Sequence, residues 1–180
     1  MPKQERSVTT SDTMGKDILP SPIWRKIIKK LNDMRVEYIL VGGSALIVHG
    51  LPRSTLDIDI YVSAKEDTLG KLFQIAEDLG LDTDQRDILK IRHMPHLFAN
   101  QWICFSNKGQ EILDVFFVHE NKFTALYRNS ELRKDQHICV RVASLNDISA
   151  MKRASRRAID RADLILIEEV RKQMRRSKRS

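Results

Sequence analysis

Asp57 and Asp59 alternate with Leu56, Ile58 and Ile60 in the run from Leu56 to Val62. On a strand, successive side chains point to opposite faces, so both carboxylates share one face and the apolar groups take the other. Two like charges side by side repel, and a divalent cation between them removes the conflict. A third carboxylate, Asp114, sits in the greasy run Ile112-Leu113-Asp114-Val115-Phe116-Phe117. Burying it there is costly unless a cation or a donor meets it. Three acids on neighbouring strands can hold two metal ions about 4 Å apart, an arrangement that clamps an in-line displacement at phosphorus. Taken alone, the Asp57/Asp59 pair equally fits the solvent face of an edge strand. An EF-hand is excluded, because Tyr61 and Val62 stand where that loop needs a ligand and then glycine.

Ahead of this strand, Gly42-Gly43-Ser44 follows an apolar run and opens a helix-like segment. Unpaired N–H groups at a helix start suit a phosphate; glycine lets a ligand approach the main chain, and the Ser44 hydroxyl adds a donor. A Gly-Gly pair between strand and helix is also simple turn geometry. A P-loop is excluded, because the Gly-Lys-Ser/Thr ending is missing. Further along, Lys152 and Arg156 are four apart and share a helix face, which a site or a solvated surface explains nearly as well. Asp160, with Asp163 behind it, reads as the cap of a last helix. The five histidines are scattered without metal-type spacing.

The elements that must position these groups follow from pattern. Ile23, Trp24, Ile27, Ile28 and Leu31 recur at helical spacing behind Ser21 and Pro22. Val36 to Val41 reads as a buried strand, Ser44 to His49 as a short helix ended by Gly50 and Pro52, and Leu56 to Val62 as the second strand. Ser63-Ala64-Lys65-Glu66 has the form of a capping box opening a helix through Leu69, Leu72, Phe73, Ala76 and Leu79, which Gly80 stops. Leu97 to Ser106 and Glu111 to Val118 read as strands joined at Asn107-Lys108-Gly109. Phe123 to Tyr127 reads as a short helix and His137 to Val142 as a further strand. Ser144-Leu145-Asn146-Asp147 caps a helix through Ile148, Met151 and Ala158, and a last helix covers Leu164 to Met174. The segment from Leu81 to Pro95 gives no clear period. Alternating strands and helices predict an α/β domain with a helical piece after Ser144.

With 42% hydrophobic and 31% charged residues in 180, the composition is that of a globular protein. No apolar run approaches the ~18 residues of a membrane helix, and the N-terminus lacks an apolar signal core. Cys104 and Cys139 are too few and too far apart for a disulfide framework or a zinc cluster, so the reducing cytoplasm is the expected compartment. The net charge of +7 rests largely on the last ten residues, RKQMRRSKRS, a pattern commoner in solvated tails than in recognition surfaces.

The order apolar–Gly–Gly/Ser, about a dozen residues, Asp–apolar–Asp–apolar, then a later strand Asp, resembles the polymerase-β-type nucleotidyltransferase superfamily. The passage GGSALIVHGLPRSTLDIDIYV is similar to bacterial minimal nucleotidyltransferases and the abortive-infection toxin branch, and Ser144 to Leu166, with Lys152, Asp160 and Asp163, resembles that branch's C-terminal helix motif. The resemblance implies a mixed β-sheet flanked by helices. The polar, aperiodic start (1–20) is expected to be mobile and the end (174–180) a basic tail; between them the resemblance implies a nucleotidyltransferase core (21–143) and C-terminal helices (144–173). It also implies transfer of a nucleoside monophosphate from a triphosphate to an acceptor hydroxyl on RNA or protein. Asp57, Asp59 and Asp114 would hold magnesium (manganese as the alternative), with Asp114 also orienting the acceptor. Gly43 and Ser44 would hold the β- and γ-phosphates, with Gly42 in the same nucleotide-binding turn, and Lys152 would neutralise triphosphate charge or contact the acceptor. Arg53 and Thr55 either contact phosphate or brace the loop. An antitoxin partner belongs to the toxin branch. The alternatives are a lincosamide- or aminoglycoside-type transferase, or a non-catalytic nucleotide-binding module.

Overall fold

The computed structural model describes residues 17–155 and 157–177. Ser21 caps helix α1 (Pro22–Asp33), its hydroxyl accepting the Trp24 N–H at 3.4 Å, as the Ser-Pro start predicts. Ile18 and Leu19, expected within the mobile segment, are held in place. The Ile18 and Leu19 amides donate to the Asp135 carboxylate and Leu19 is buried in the core, while residues 1–16 lie outside the described residues.

Strand β1 (Tyr38–Leu40) is shorter than the apolar run around it and leads into α2 (Gly42–Val48). Strand β2 (Ile58–Ser63) begins later than expected: Leu56 is exposed and Asp57 lies just before the first paired residue. The Ser63 capping box does not form. Ser63 is the last, buried residue of β2, and helix α3 (Glu66–Asp78) starts at Lys65 without a side-chain cap. Arg86–Ile91 forms a 3-10 turn, and Pro95–Phe98 is the short helix α4, so Leu97 and Phe98 are helical where a strand was expected. Strands β3 (Trp102–Asn107) and β4 (Gln110–Val118) meet at Lys108-Gly109, both at positive φ as a tight primed turn requires. Helix α5 (Glu120–Asn129) is followed by β5 (Glu131–Asp135), a polar edge strand with no apolar alternation to announce it, and β6 (Ile138–Val142). The Ser144 cap forms, its Oγ accepting the Asp147 N–H at 3.1 Å. Helix α6 (Leu145–Ser155) stops short of Ala158, which opens α7 (Ala158–Ser177).

The six strands form one mixed sheet in the order β3-β4-β2-β1-β6-β5, with β2 parallel to β4 and β1 antiparallel to β2. Alternation sorts its two faces. Ile58, Ile60, Leu113, Val115, Ile103 and Phe105 point into the core, which Trp24, Ile28 and Leu31 of α1 and Leu69, Leu72 and Ile75 of α3 complete. The opposite face carries Asp59, Tyr61, Asp114 and Phe116. Ile148 of α6 and Ile167 of α7 join the same core, so the C-terminal helices are packed as part of one unit. No described helix is long and apolar enough to cross a membrane.

Candidate active site

Asp59 and Asp114 face each other across the parallel β2–β4 pair. With Asp57 they bring one carboxylate oxygen each to within 4.8 Å of one another. Thr55 donates its hydroxyl hydrogen to Asp57, so this threonine braces the acidic cluster. Asp114 is buried, and its Oδ1 has no hydrogen-bond partner. Burial raises its pKa most; the Cys104 hydrogen bond opposes that, the Asp57 and Glu111 charges add to it, and Trp102 lowers it slightly, leaving it raised. Burial, then Asp57 and Asp114, pushes Asp59 up to about 7. Crowded carboxylates, one with an orphan oxygen, are the environment that a divalent cation relieves, and an all-carboxylate oxygen set suits magnesium or manganese.

The glycine turn presses directly on this cluster. Gly42 has φ +62°, and a Cβ there would stand 2.6 Å from Asp59 Cγ. The Gly43 N–H faces the Asp59 carboxylate and lowers its pKa. Ser44 departs from expectation. It is fully buried, donates to Val41 O at 2.8 Å and accepts the Asp59 N–H at 3.2 Å, so its hydroxyl ties the turn to the acidic strand and is not free for phosphate.

Arg53 and Lys152 are both engaged by carboxylates. Arg53 Nε lies 3.1 Å from Asp163 Oδ1 at an angle too poor for a hydrogen bond, and another of its nitrogens donates to Ser54 O. Lys152 is buried with Nζ 3.0 Å from Asp160 and 2.7 Å from Asp163. The expected cap at Asp160 is replaced by this clamp. Burial alone would raise Asp160, but donors from Arg157, Ser155 and Lys152 outweigh it and hold its pKa at about 2. Arg156, the expected neighbour of Lys152, lies outside the described residues. Removing one partner of a buried ion cluster strands the rest. Lys152→Met should therefore cost about 3 kcal/mol in urea unfolding, the low end for such a loss because Arg53 and Arg157 remain.

A cavity of about 330 Å³ opens between the acidic face and α6, bordered by Gly42, Asp59, Tyr61, Phe116, Met151 and Lys152. Pattern reasoning missed Cys104 and Trp102, which flank Asp114 from β3. Counted back from the Lys108-Gly109 turn, an unbroken ladder pairs Cys104 with Leu113. A bulge between Phe105 and Ser106 shifts the register by one and puts Cys104 opposite Asp114. Nothing in the local sequence marks that bulge.

The sequence profile of the family described as "Nucleotidyltransferase of unknown function (DUF6036)" matches residues 24–175. The chain belongs to this nucleotidyltransferase family. No curated protein matches its sequence. Among solved structures, a Thermotoga maritima protein provisionally assigned as a nucleotidyltransferase superposes with TM-score 0.54 at 16% identity, covering 86% of this chain and 91% of its own. An antigenic nucleotidyltransferase-like protein from Paracoccidioides brasiliensis gives TM-score 0.50 at 15% identity, covering 80% and 72%. At such identities the likeness is one of fold, and it agrees with the expected mixed sheet and flanking helices.

Proposed function

We propose that this nucleotidyltransferase moves a nucleoside monophosphate from a triphosphate to an acceptor hydroxyl, with Asp57, Asp59 and Asp114 as the metal ligands. The observation that carries this reading is the convergence of three carboxylates, one with a buried unpaired oxygen, next to the 330 Å³ cavity that Asp59 borders. Bound divalent cations would supply neutralisation of the phosphoryl oxygens and of the departing pyrophosphate. The chain does the positioning. The base lies against Tyr61 and Phe116, whose rings are 5.7 Å apart, with Met151 opposite. The phosphates lie along the turn at Gly42 and Gly43, which carries no side chain of its own. Lys152 and Arg53 offer positive charge from across the cavity and loop. The acceptor oxygen attacks the α-phosphorus as the bond to the β-phosphate oxygen breaks, pyrophosphate leaves with that electron pair, and Asp114 takes the hydroxyl proton.

The test is transfer of α-labelled nucleotide in the presence of magnesium or manganese. Transfer is expected from the native chain and not from Asp57→Asn or Asp114→Asn; transfer that survives either substitution contradicts the assignment. Nucleotide binding without transfer to any acceptor marks a non-catalytic module instead. The resemblance to the toxin branch supports an RNA or protein acceptor with an antitoxin partner, and the drug-modifying branch supports a small hydroxylated compound.

A further inference from the structure

The two edges of the sheet are finished differently. Along β3, the Asp82 N–H and C=O pair with Ser106 at 2.8 Å each. The Gln85 side chain continues that ladder, its Nε2 donating to Trp102 O at 2.9 Å and its Oε1 accepting the Cys104 N–H at 3.0 Å. This edge is closed to a further strand. The opposite edge, β5, is bare, and its register shows which groups face outward. The Ala143 amide donates to Leu40 O of β1, so Val142, one residue earlier, turns its N–H and C=O the other way, to Glu131 of β5. Alternation along β5 then aims the main chain of Glu131, Arg133 and Asp135 at β6 and leaves the N–H and C=O of Leu132 and Lys134 pointing out of the sheet. Among the described residues, no loop or side chain bonds these outward groups.

The side chains of β5 alternate as well. Leu132, 55% exposed, takes one face, while Glu131 and Arg133 share the other, 2.6 Å apart. Charges on an edge strand ordinarily keep other strands away. Here they admit one arrangement with a second copy of the same strand. Two identical edges pair antiparallel about a two-fold axis that passes through one residue, which then faces its own copy. With the axis at Glu131, Arg133 or Lys134, a charged residue meets itself. With the axis at Leu132, leucine meets leucine, Glu131 meets the partner's Arg133, and Arg133 meets the partner's Glu131. Leu132 is also one of the two outward-facing residues, so it exchanges two main-chain hydrogen bonds with its copy.

We propose that β5 is the contact strand of a homodimer, in which two copies pair antiparallel about Leu132 and join their six-stranded sheets into one. The two Glu131–Arg133 pairs become a ring of four alternating charges over the axis, and the leucines meet on the opposite face. Strands β6 and β1 separate β5 from β2, so dimerisation leaves the acidic cluster of each copy open.

The test is sedimentation equilibrium on the full chain. The native protein is expected to form a dimer that dissociates on dilution. Arg133→Glu sets glutamate against glutamate at two symmetric places, so dimerisation should weaken at least about tenfold, a change of about 1.4 kcal/mol. Glu131→Arg should do the same, and the double reversal Glu131→Arg/Arg133→Glu should return association to near the native value. Leu132→Pro removes the central donor without touching a β5–β6 bond, since that amide faces outward; it should be monomeric with a native far-UV spectrum. A native chain that stays monomeric, a dimer unmoved by either single reversal, or single reversals that the double does not rescue overturns the proposal. A folded Leu132→Pro chain that still dimerises overturns it too, and the charge reversals decide the matter whether or not that variant folds.

Discussion

Asp59→Asn is expected to reduce nucleotidyl transfer at least about 10³-fold while making the metal-free protein more stable, in line with the electrostatic role assigned to this carboxylate. The stabilisation follows from its pKa, raised from 3.8 to about 7 by burial and by Asp57 and Asp114. The folded chain holds the Asp59 proton more tightly than the unfolded chain does. Below pH 4 both states are protonated and Asp59 is neutral with respect to stability. Between about pH 4 and pH 7 the unfolded state has ionised and the folded state has not, so stability falls as pH rises, and the full penalty is present above 7. Its size is on the order of 2–4 kcal/mol, which at this chain length moves the melting temperature by about 5 °C or more. Metal-free native protein should therefore melt lower at pH 8 than at pH 5.5, and magnesium should raise the pH 8 value more than the pH 5.5 value. Asp59→Asn should flatten the pH dependence and lose most of the magnesium shift. A native protein whose melting temperature rises from pH 5.5 to 8 without metal would contradict the crowded-carboxylate account.

Gly42→Ala carries the second large effect. The position has φ +62°, which costs an L-residue about 1–2 kcal/mol, and the new methyl group would stand 2.6 Å from Asp59 Cγ. Asp59 cannot retreat freely, because its own N–H is held by Ser44 Oγ and its strand is paired with β1 and β4. The substitution should therefore cost about 2–3 kcal/mol in denaturant unfolding and lower transfer about 10²-fold or more, since a carboxylate misplaced by about 1 Å suffices for such a loss. Gly43→Ala is the control. A Cβ there meets Thr55 at 3.6 Å, an ordinary contact, so this variant should fold with native stability and lose nucleotide affinity through crowding of the phosphate path. Equal behaviour of the two alanine variants would mean that the turn does not press on the acidic cluster.

Much of this site was legible because its parts are local. The Gly42-Gly43 turn, the Asp57/Asp59 alternation and the isolated Asp114 each announce themselves within a few residues, and β-alternation alone puts Asp59 and the core-facing Ile58 and Ile60 on opposite faces. The parts that escaped are those decided by contacts distant in sequence. Ser44 lies on the buried side of a short helix, where its hydroxyl meets the Asp59 N–H of the acidic strand. Asp160 looks like a cap because Asp so often is one; only the approach of α6 gives it Lys152 as a partner. Cys104, Trp102 and Glu111 reach the site through one unpaired residue in the β3–β4 ladder. Strand β5 was missed because Glu131–Asp135 is polar and lies at the sheet edge, where pairing with β6 and the bonds of Asp135 to Ile18, Leu19 and Arg25 replace any apolar pattern.

The central claim is that three carboxylates share one cation site beside the nucleotide cavity, and anomalous diffraction from crystals soaked with manganese and a non-hydrolysable triphosphate tests it most directly. The account predicts anomalous peaks between Asp57, Asp59 and Asp114, next to the triphosphate and within about 2–2.6 Å of carboxylate oxygens, the range of hard-cation ligation. Triphosphate bound in that cavity with no peak between the three carboxylates, or manganese held elsewhere on the chain, would contradict it.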